Sequence, residues 1–275
     1  MIRGGNFLKL SITILSVLAL GLVPVKAQDA DLTIDQIVQK HLDAVGGADK
    51  LKAIDNVKAT GNAVLMGGQV EAPITMVLKR PTSMRLDMSI QGQNFIQAFD
   101  GTTSWMINPF MGSPDPQKAS DEETKATRDD SDFIEGPLMD YKAKGSTVEL
   151  VDKEDVGGTS AYKIKITKKS GNVQYLFLDA KTFLDMKSTG HRKQMGQEMD
   201  VETTMANYKT VNGVQMPFSI AQKANGNPVM ELTVDKYEVN VPVDDAMFKM
   251  PEKPAPETTK TDAPKDKPAA KPQYE

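Results

Sequence analysis

Between Met84 and Ile90 the chain alternates without a slip: Met84, Leu86, Met88 and Ile90 are apolar, and Arg85, Asp87 and Ser89 between them are polar. A period of two puts the two sets on opposite faces of a β-strand, the signature of an antiparallel sheet that is greasy on one side and wet on the other. The preceding stretch agrees. Ile74, Met76 and Leu78 share a face that ends in the cation Arg80, and Pro81 then breaks the strand. Asp100-Gly101 reads as a hairpin turn, since Gly accepts a positive φ. The apolar face of this sheet is expected to hold a lipid.

Further strands are expected near 57–66, 72–79, 94–99, 103–108, 147–151, 161–167, 173–179, 182–188, 199–207, 214–221 and 229–238, separated by short turn signals. With few helices, this predicts a mainly β fold, a curved antiparallel half-barrel of about 11–12 strands. Thr33 is a good N-cap for an amphipathic helix over 33–45, Gly46-Gly47 stops it, and a second short helix covers 48–54. Between Pro109 and Gly145 the strand pattern fails. The acidic run 120–133 reads as a helix capped by Ser120, and an insertion of this length acts as a lid more often than as a bare loop.

The ends carry addresses rather than fold. Arg3 and Lys9 precede the apolar run 10–23, and Val25-Lys26-Ala27 supplies small residues where a signal peptidase cuts. Residues 1–27 are therefore read as a cleaved signal peptide and 28–251 as one domain. The Pro- and Lys-rich stretch 252–275 is expected to be a disordered tail. An exported chain without cysteine has no lipid anchor at the cleavage site, no disulfides and no thiolate metal site, so the expected location is the periplasm.

Enzyme readings find no purchase. The two histidines, His41 on the apolar stripe of the first helix and His191 in a polar turn over 188–197, form no zinc ligand set, and no nucleophile, base and orienting group come together in a motif. No cofactor is expected. A net charge of −4 with scattered Lys and Arg excludes a nucleic-acid surface. The acidic run is read as a solvated helix face rather than a cation site.

Three motifs in order then carry a resemblance: Lys79-Arg80-Pro81, the stretch from Asp100-Gly101 through Trp105 to Asn108-Pro109-Phe110, and Asp245-Ala246-Met247-Phe248. They resemble the signature points of the LolA-type periplasmic lipoprotein-sorting carriers, over roughly Val57 to Pro251. The resemblance implies a half-barrel closed by helices whose concave face takes acyl chains. It also implies a chaperone-like role in protein transport towards the outer membrane, and it assigns Arg80 to holding the lid closed. A buried cation needs partners, so Arg80 is expected to donate to lid carbonyls or a carboxylate. The implied partners are acylated lipoproteins or lipids, an inner-membrane lipoprotein transporter and an outer-membrane acceptor, with the carrier itself a monomer. Where the carriers have aromatic residues around Lys-Arg-Pro, this chain has Val77, Met84 and Leu86. Several exported regulators use the same half-barrel for lipid-like ligands, which leaves an envelope lipid sensor or scaffold as the alternative.

The candidate lipid-facing wall is Ile74, Met76 and Leu78, then Met84, Leu86, Met88 and Ile90, then Phe95, Phe99 and Trp105. Many of the 16 methionines, among them Met76, Met84, Met88, Met106, Met199, Met205, Met216 and Met230, fall on the inward phase of strands. A flexible thioether suits either core filling or a cavity for variable ligands.

Overall fold

The structure, a computed structural model, describes residues 32–252 except 112, 130 and 195–196. The expected signal peptide lies outside the described residues, as does the tail beyond Glu252. The first helix, α1 (Ile34–Ala44), begins at a capping box in which Thr33 and Gln36 satisfy each other's free amides, and it buries Ile37, Val38 and His41. The short α2 (Ala48–Lys52) follows the glycine pair and buries Leu51.

Strands β1 (Asn56–Leu65), β2 (Val70–Lys79), β3 (Ser83–Ile90), β4 (Gln93–Phe99), β5 (Ser104–Asn108) and β6 (Ser113–Lys118) then form a meander. Asp100 shapes the β4–β5 turn, its Oδ1 accepting from the Thr102 and Thr103 amides at 2.8 and 2.7 Å. After β6 comes α3 (Asp121–Asp129), where Ser120 and Glu123 make a second capping box. Strands β7 (Thr147–Val156), β8 (Thr159–Thr167), β9 (Val173–Asp179), β10 (Asp185–Gln194), β11 (Gln197–Val211), β12 (Val214–Ala224) and β13 (Asn227–Val239) complete the chain's second meander.

All thirteen strands join one antiparallel sheet in the order β6-β5-β4-β3-β2-β1-β13-β12-β11-β10-β9-β8-β7, open between β6 and β7. The half-barrel expectation holds, with one strand more than the sequence signalled. The extra strand is β6, whose Ser-Pro-Asp-Pro pattern masks it. Proline lacks the N–H a central strand needs and is tolerated because β6 is an edge. His191 also moves, from the expected turn into β10, opposite Asp200 on β11.

The two meanders meet where β1 pairs with β13. A register shift at Thr60/Gly61 lets the strands bend there. Gly61 is required by contact: a Cβ on it would sit 2.1 Å from the Thr233 carbonyl oxygen. Two apolar clusters fill the inner side of the bend. At one end Leu51, Ile54, Val57, Met139, Val214 and Met216 pack α2 and the 131–145 segment against the sheet. Further along, Ala59, Ala63, Ile74, Phe218, Leu232 and Val234 pack across the seam.

The sheet curls strongly. Helix α3 touches both β5 and β10, which have seven strands between them in the sheet order. Laid flat, eight steps of ~4.8 Å would separate those strands by about 38 Å. A nine-residue helix is only about 13 Å long. The two arms must therefore face each other across a trough, with α3 over it.

Candidate functional site

Pairing register decides which side chains face the trough. Ile74 lies opposite Met88, Met76 opposite Leu86 and Leu78 opposite Met84. Met84 in turn lies opposite Phe99 and Met88 opposite Phe95. Cross-strand partners share a face, so these residues and Ile90 line the inner side together with the seam cluster. The eight methionines named above also fall on this side.

Burial divides the candidates. Ile74 and Phe99 are enclosed at 5% and 0% exposure and belong to the core. Met76, Leu78, Met84, Leu86, Met88, Ile90 and Phe95 are only half-buried. Every residue of β3 is half-buried, on both faces. Leu65, Ile220 and Met230 continue this incompletely covered floor across the seam. At the end of the trough away from α2, Met66 and Val229 are exposed on the neighbouring β1–β2 and β12–β13 tips.

Trp105 is a correction. It pairs with Ala98, whose neighbour Phe99 faces inward, so the indole faces the outer side. There Nε1 donates to the Phe248 carbonyl at 2.7 Å, and the Arg85 guanidinium lies 5.7 Å from the ring centre. Arg85 also donates to the Met247 carbonyl at 2.7 Å, and Lys79 reaches Asp245. The Asp245–Phe248 turn is thus clamped to the outside of the sheet. The period-two reading stopped at Phe99; the four residues between β4 and β5 set the phase of the next strand.

Arg80 sits at the end of β2 beneath α2. Its Nε donates to the Ile54 carbonyl at 2.7 Å and one terminal nitrogen to the Leu51 carbonyl at 2.9 Å. The other meets the Glu135 carboxylate at 2.6 Å. Lys144 ties the same segment internally through Asp132 and Glu135 at 2.6 and 3.4 Å. One guanidinium therefore joins the sheet, the carbonyls of Leu51 and Ile54 at and just past the end of α2, and the segment following α3, a five-donor geometry a lysine lacks.

Helix α3 is held differently. Its largest apolar residue is Ala126, and the residue it buries is Thr124, whose Oγ1 finds no hydrogen-bond partner among the described residues. Its C-terminal end is tied to both arms: Arg128 donates to the Thr102 carbonyl at 3.2 Å and Lys168 to the Asp129 carbonyl at 2.8 Å. Within α3 itself no apolar side chain larger than alanine is available to anchor it to the sheet.

A buried polar pair anchors α1: His41, on the apolar stripe as expected, and Asp185, which the sequence did not flag. His41 Nδ1 lies 2.9 Å from the Phe183 carbonyl, so this nitrogen carries the proton and donates. Asp185 Oδ1 stands 3.9 Å from it, enclosed and without a hydrogen-bond partner among the described residues, while 24% of the side chain stays accessible. Burial pushes the Asp185 carboxyl up from its ordinary range, partly offset by His41. Burial likewise raises the phenol of Tyr208, which donates to the Asp185 carbonyl oxygen at 3.0 Å.

Two cavities open on the β8–β12 arm. One of about 50 Å³ lies between Lys168, Gln174, Ser188, Arg192 and Thr203. A broader groove of about 700 Å³ lies largely on the outer face, by Tyr175, Thr189, His191, Asp200 and Glu202. Volume does not favour the groove, because its charged groups already pair: His191 with Asp200, and Lys223 with Glu202 at 3.0 Å.

No family model and no curated protein sequence matches this chain. Solved structures do. A DUF1329 family protein from Desulfovibrio piger aligns with a TM-score of 0.55 at 10% identity, over 79% of this chain and 97% of that one. A LolA superfamily protein from Nitrosomonas europaea aligns with a TM-score of 0.51 at 12% identity, over 79% and 98%. The chain has the LolA-like fold. At such identities the likeness is one of backbone, and the residues that fill the LolA-like trough are this chain's own.

Proposed function

We propose that this protein binds acyl chains on the inner face of its half-barrel and carries acylated cargo through the periplasm towards the outer membrane. The observation that carries the reading is the floor from Met76 to Phe95, apolar on its inner face yet only half-buried, beneath a helix with no apolar underside. A protein interior packs to crystal density, so an apolar strip left half-covered inside a curled sheet is space for a guest. Methionine on that floor adapts to chains of different shape. Lid closure falls to Arg80, whose contacts with α2 and Glu135 hold the helical segment down in the unloaded state and give way as cargo enters.

The test is binding of a fluorescent fatty-acyl probe to the delipidated protein. Saturable binding that Leu86→Lys and Met88→Lys abolish supports the reading; absence of binding by the folded wild-type chain overturns it. Transport is tested separately, by passing a lipopeptide from donor to acceptor vesicles. Binding without transfer removes the carrier role and leaves a lipid sensor.

A further inference from the structure

Four hairpins stand side by side in the sheet, β5–β6, β3–β4, β1–β2 and β12–β13, and all four turn at the end of the trough away from α2. Their tips carry no charge. Residues 59–70, 88–99, 101–114 and 224–230 contain no Asp, Glu, Lys or Arg, in a chain of which 25% is charged. The opposite ends of the same strands differ, with Asp55, Lys79, Arg80 and Asp100 gathered there. The other arm differs too, since Lys168, Lys169, His191, Arg192 and Asp200 stand at its corresponding end. Neutrality is thus a property of one rim.

Apolar side chains project from that rim. Of the four large apolar residues that stand exposed among the described residues, three are here: Met66 at 69%, Phe110 at 51% and Val229 at 41%. Beside them are glycines and the exposed neutral amides Gln69, Gln91, Gln93, Asn94 and Asn225. Met66 is out of place in its backbone as well. It takes a φ of 53°, and of the eight non-glycine residues at positive φ among the described residues four are Asn. Asparagine suits such a turn, whereas a methionine there adds nothing to the fold and is held out for a contact beyond the chain.

We infer that these four tips are a docking surface for a lipid bilayer, with Met66, Phe110 and Val229 entering the boundary between headgroups and acyl chains and the amides staying among the headgroups. The spacing favours a bilayer over a protein. From β5–β6 to β12–β13 the tips run over six strand steps of ~4.8 Å, about 29 Å along the sheet. The apolar side chains therefore form a spaced row rather than the packed centre of a protein interface, and a fluid bilayer moulds to separate protrusions. The rim offers a protein partner no charge to match, while the same lack of charge removes the main cost of entering the boundary. A neutral rim also predicts indifference to lipid charge.

The chain has no cysteine, so Met66→Cys, Phe110→Cys and, as a control on the β8–β9 turn, Ser170→Cys each carry one environment-sensitive fluorophore. Vesicles of phosphatidylcholine, alone or with phosphatidylglycerol, are added to the full chain. The expected result is a blue shift at 66 and 110 and none at 170, equal for the two lipid mixtures and insensitive to high salt. Met66→Asn and Phe110→Ser should each lower vesicle partitioning of the unlabelled chain about fivefold, as for partial loss of one large apolar contact, with the melting temperature unchanged. Unmoved emission at 66 and 110 overturns the inference. Binding that needs phosphatidylglycerol and vanishes in salt assigns adsorption to charged residues and overturns it too. Emission that shifts without vesicles as protein concentration rises gives the tips to a second copy of the chain and overturns the bilayer. These readouts need no guest in the trough, so docking and acyl binding stand or fall separately.

Discussion

Arg80 and Glu135 meet at 2.6 Å across 55 residues of sequence, the guanidinium leaving the end of β2 and the carboxylate the segment behind α3. Both side chains are largely enclosed, at 24% and 15% exposure. Removing one partner of such a pair leaves the other charge poorly compensated. Arg80→Leu is therefore expected to cost about 3 kcal/mol. The loss should concentrate where the contacts are, as faster amide exchange over 48–54 and 131–145 with the central strands still protected. In the transfer assay the same variant should stay open and release cargo more slowly. Unchanged transfer kinetics would remove Arg80 from the lid role.

The sole tryptophan lies on the outer side of the sheet, away from the trough. Trp105 is 1% exposed, with its Nε1 on the Phe248 carbonyl at the outer face. Acyl ligands should leave its fluorescence maximum in place, while truncation before Asp245 should shift it to the red. Trp105→Phe deletes one buried hydrogen bond and should lower stability by about 1–2 kcal/mol in urea unfolding. A ligand-induced shift of the tryptophan spectrum would contradict the face assignment.

Asp185 sets a dependence on pH. Its carboxyl is raised in the folded chain by burial, so the folded state holds a proton over a range in which the unfolded state has lost it. Stability contributed by this group therefore falls as pH rises from about 4, the unfolded value, through the raised native value. Asp185→Asn should stabilise the protein at pH 7 by about 1 kcal/mol, and the gain should disappear below pH ~4. The accessible part of the side chain keeps the figure small. A variant destabilised equally at all pH values would show that the carboxylate is needed by His41 instead.

Gly61→Ala should be among the most damaging single substitutions. The added methyl meets the Thr233 carbonyl at 2.1 Å and the Val234 Cα at 2.9 Å, both backbone atoms that cannot turn aside. A cost of about 3 kcal/mol is expected from overpacking at the seam between the meanders. Thermal unfolding would check it, and a melting temperature within a degree of wild type would argue against a tight β1–β13 approach.

What could be read from the sequence follows from how local each signal is. The alternation of β3 and the two N-caps at Thr33 and Ser120 concern residues a few positions apart, and each appears in the structure where the pattern placed it. β6 was hidden because two prolines erase the strand signal, and only its place at an edge makes them tolerable. The side taken by Trp105 depends on the length of one turn. Glu135 as the partner of Arg80, and Asp185 beside His41, depend on contacts made across 55 and 144 residues, which no periodicity encodes. The polar composition of 188–197 predicts a turn and hides the strand phase of Ser188 and Arg192, which is set by β10 running on to Gln194.

The open sheet leaves two margins, and a row of unpaired amides along an edge invites further copies to zip on. Here β6 offers Pro114 and Pro116 at positions where a neighbour would seek donors, and β7 is broken by the register shift that ejects Val151. Both margins are thereby spoiled as templates for strand addition. The curl of the sheet is kept from becoming the first turn of a fibre.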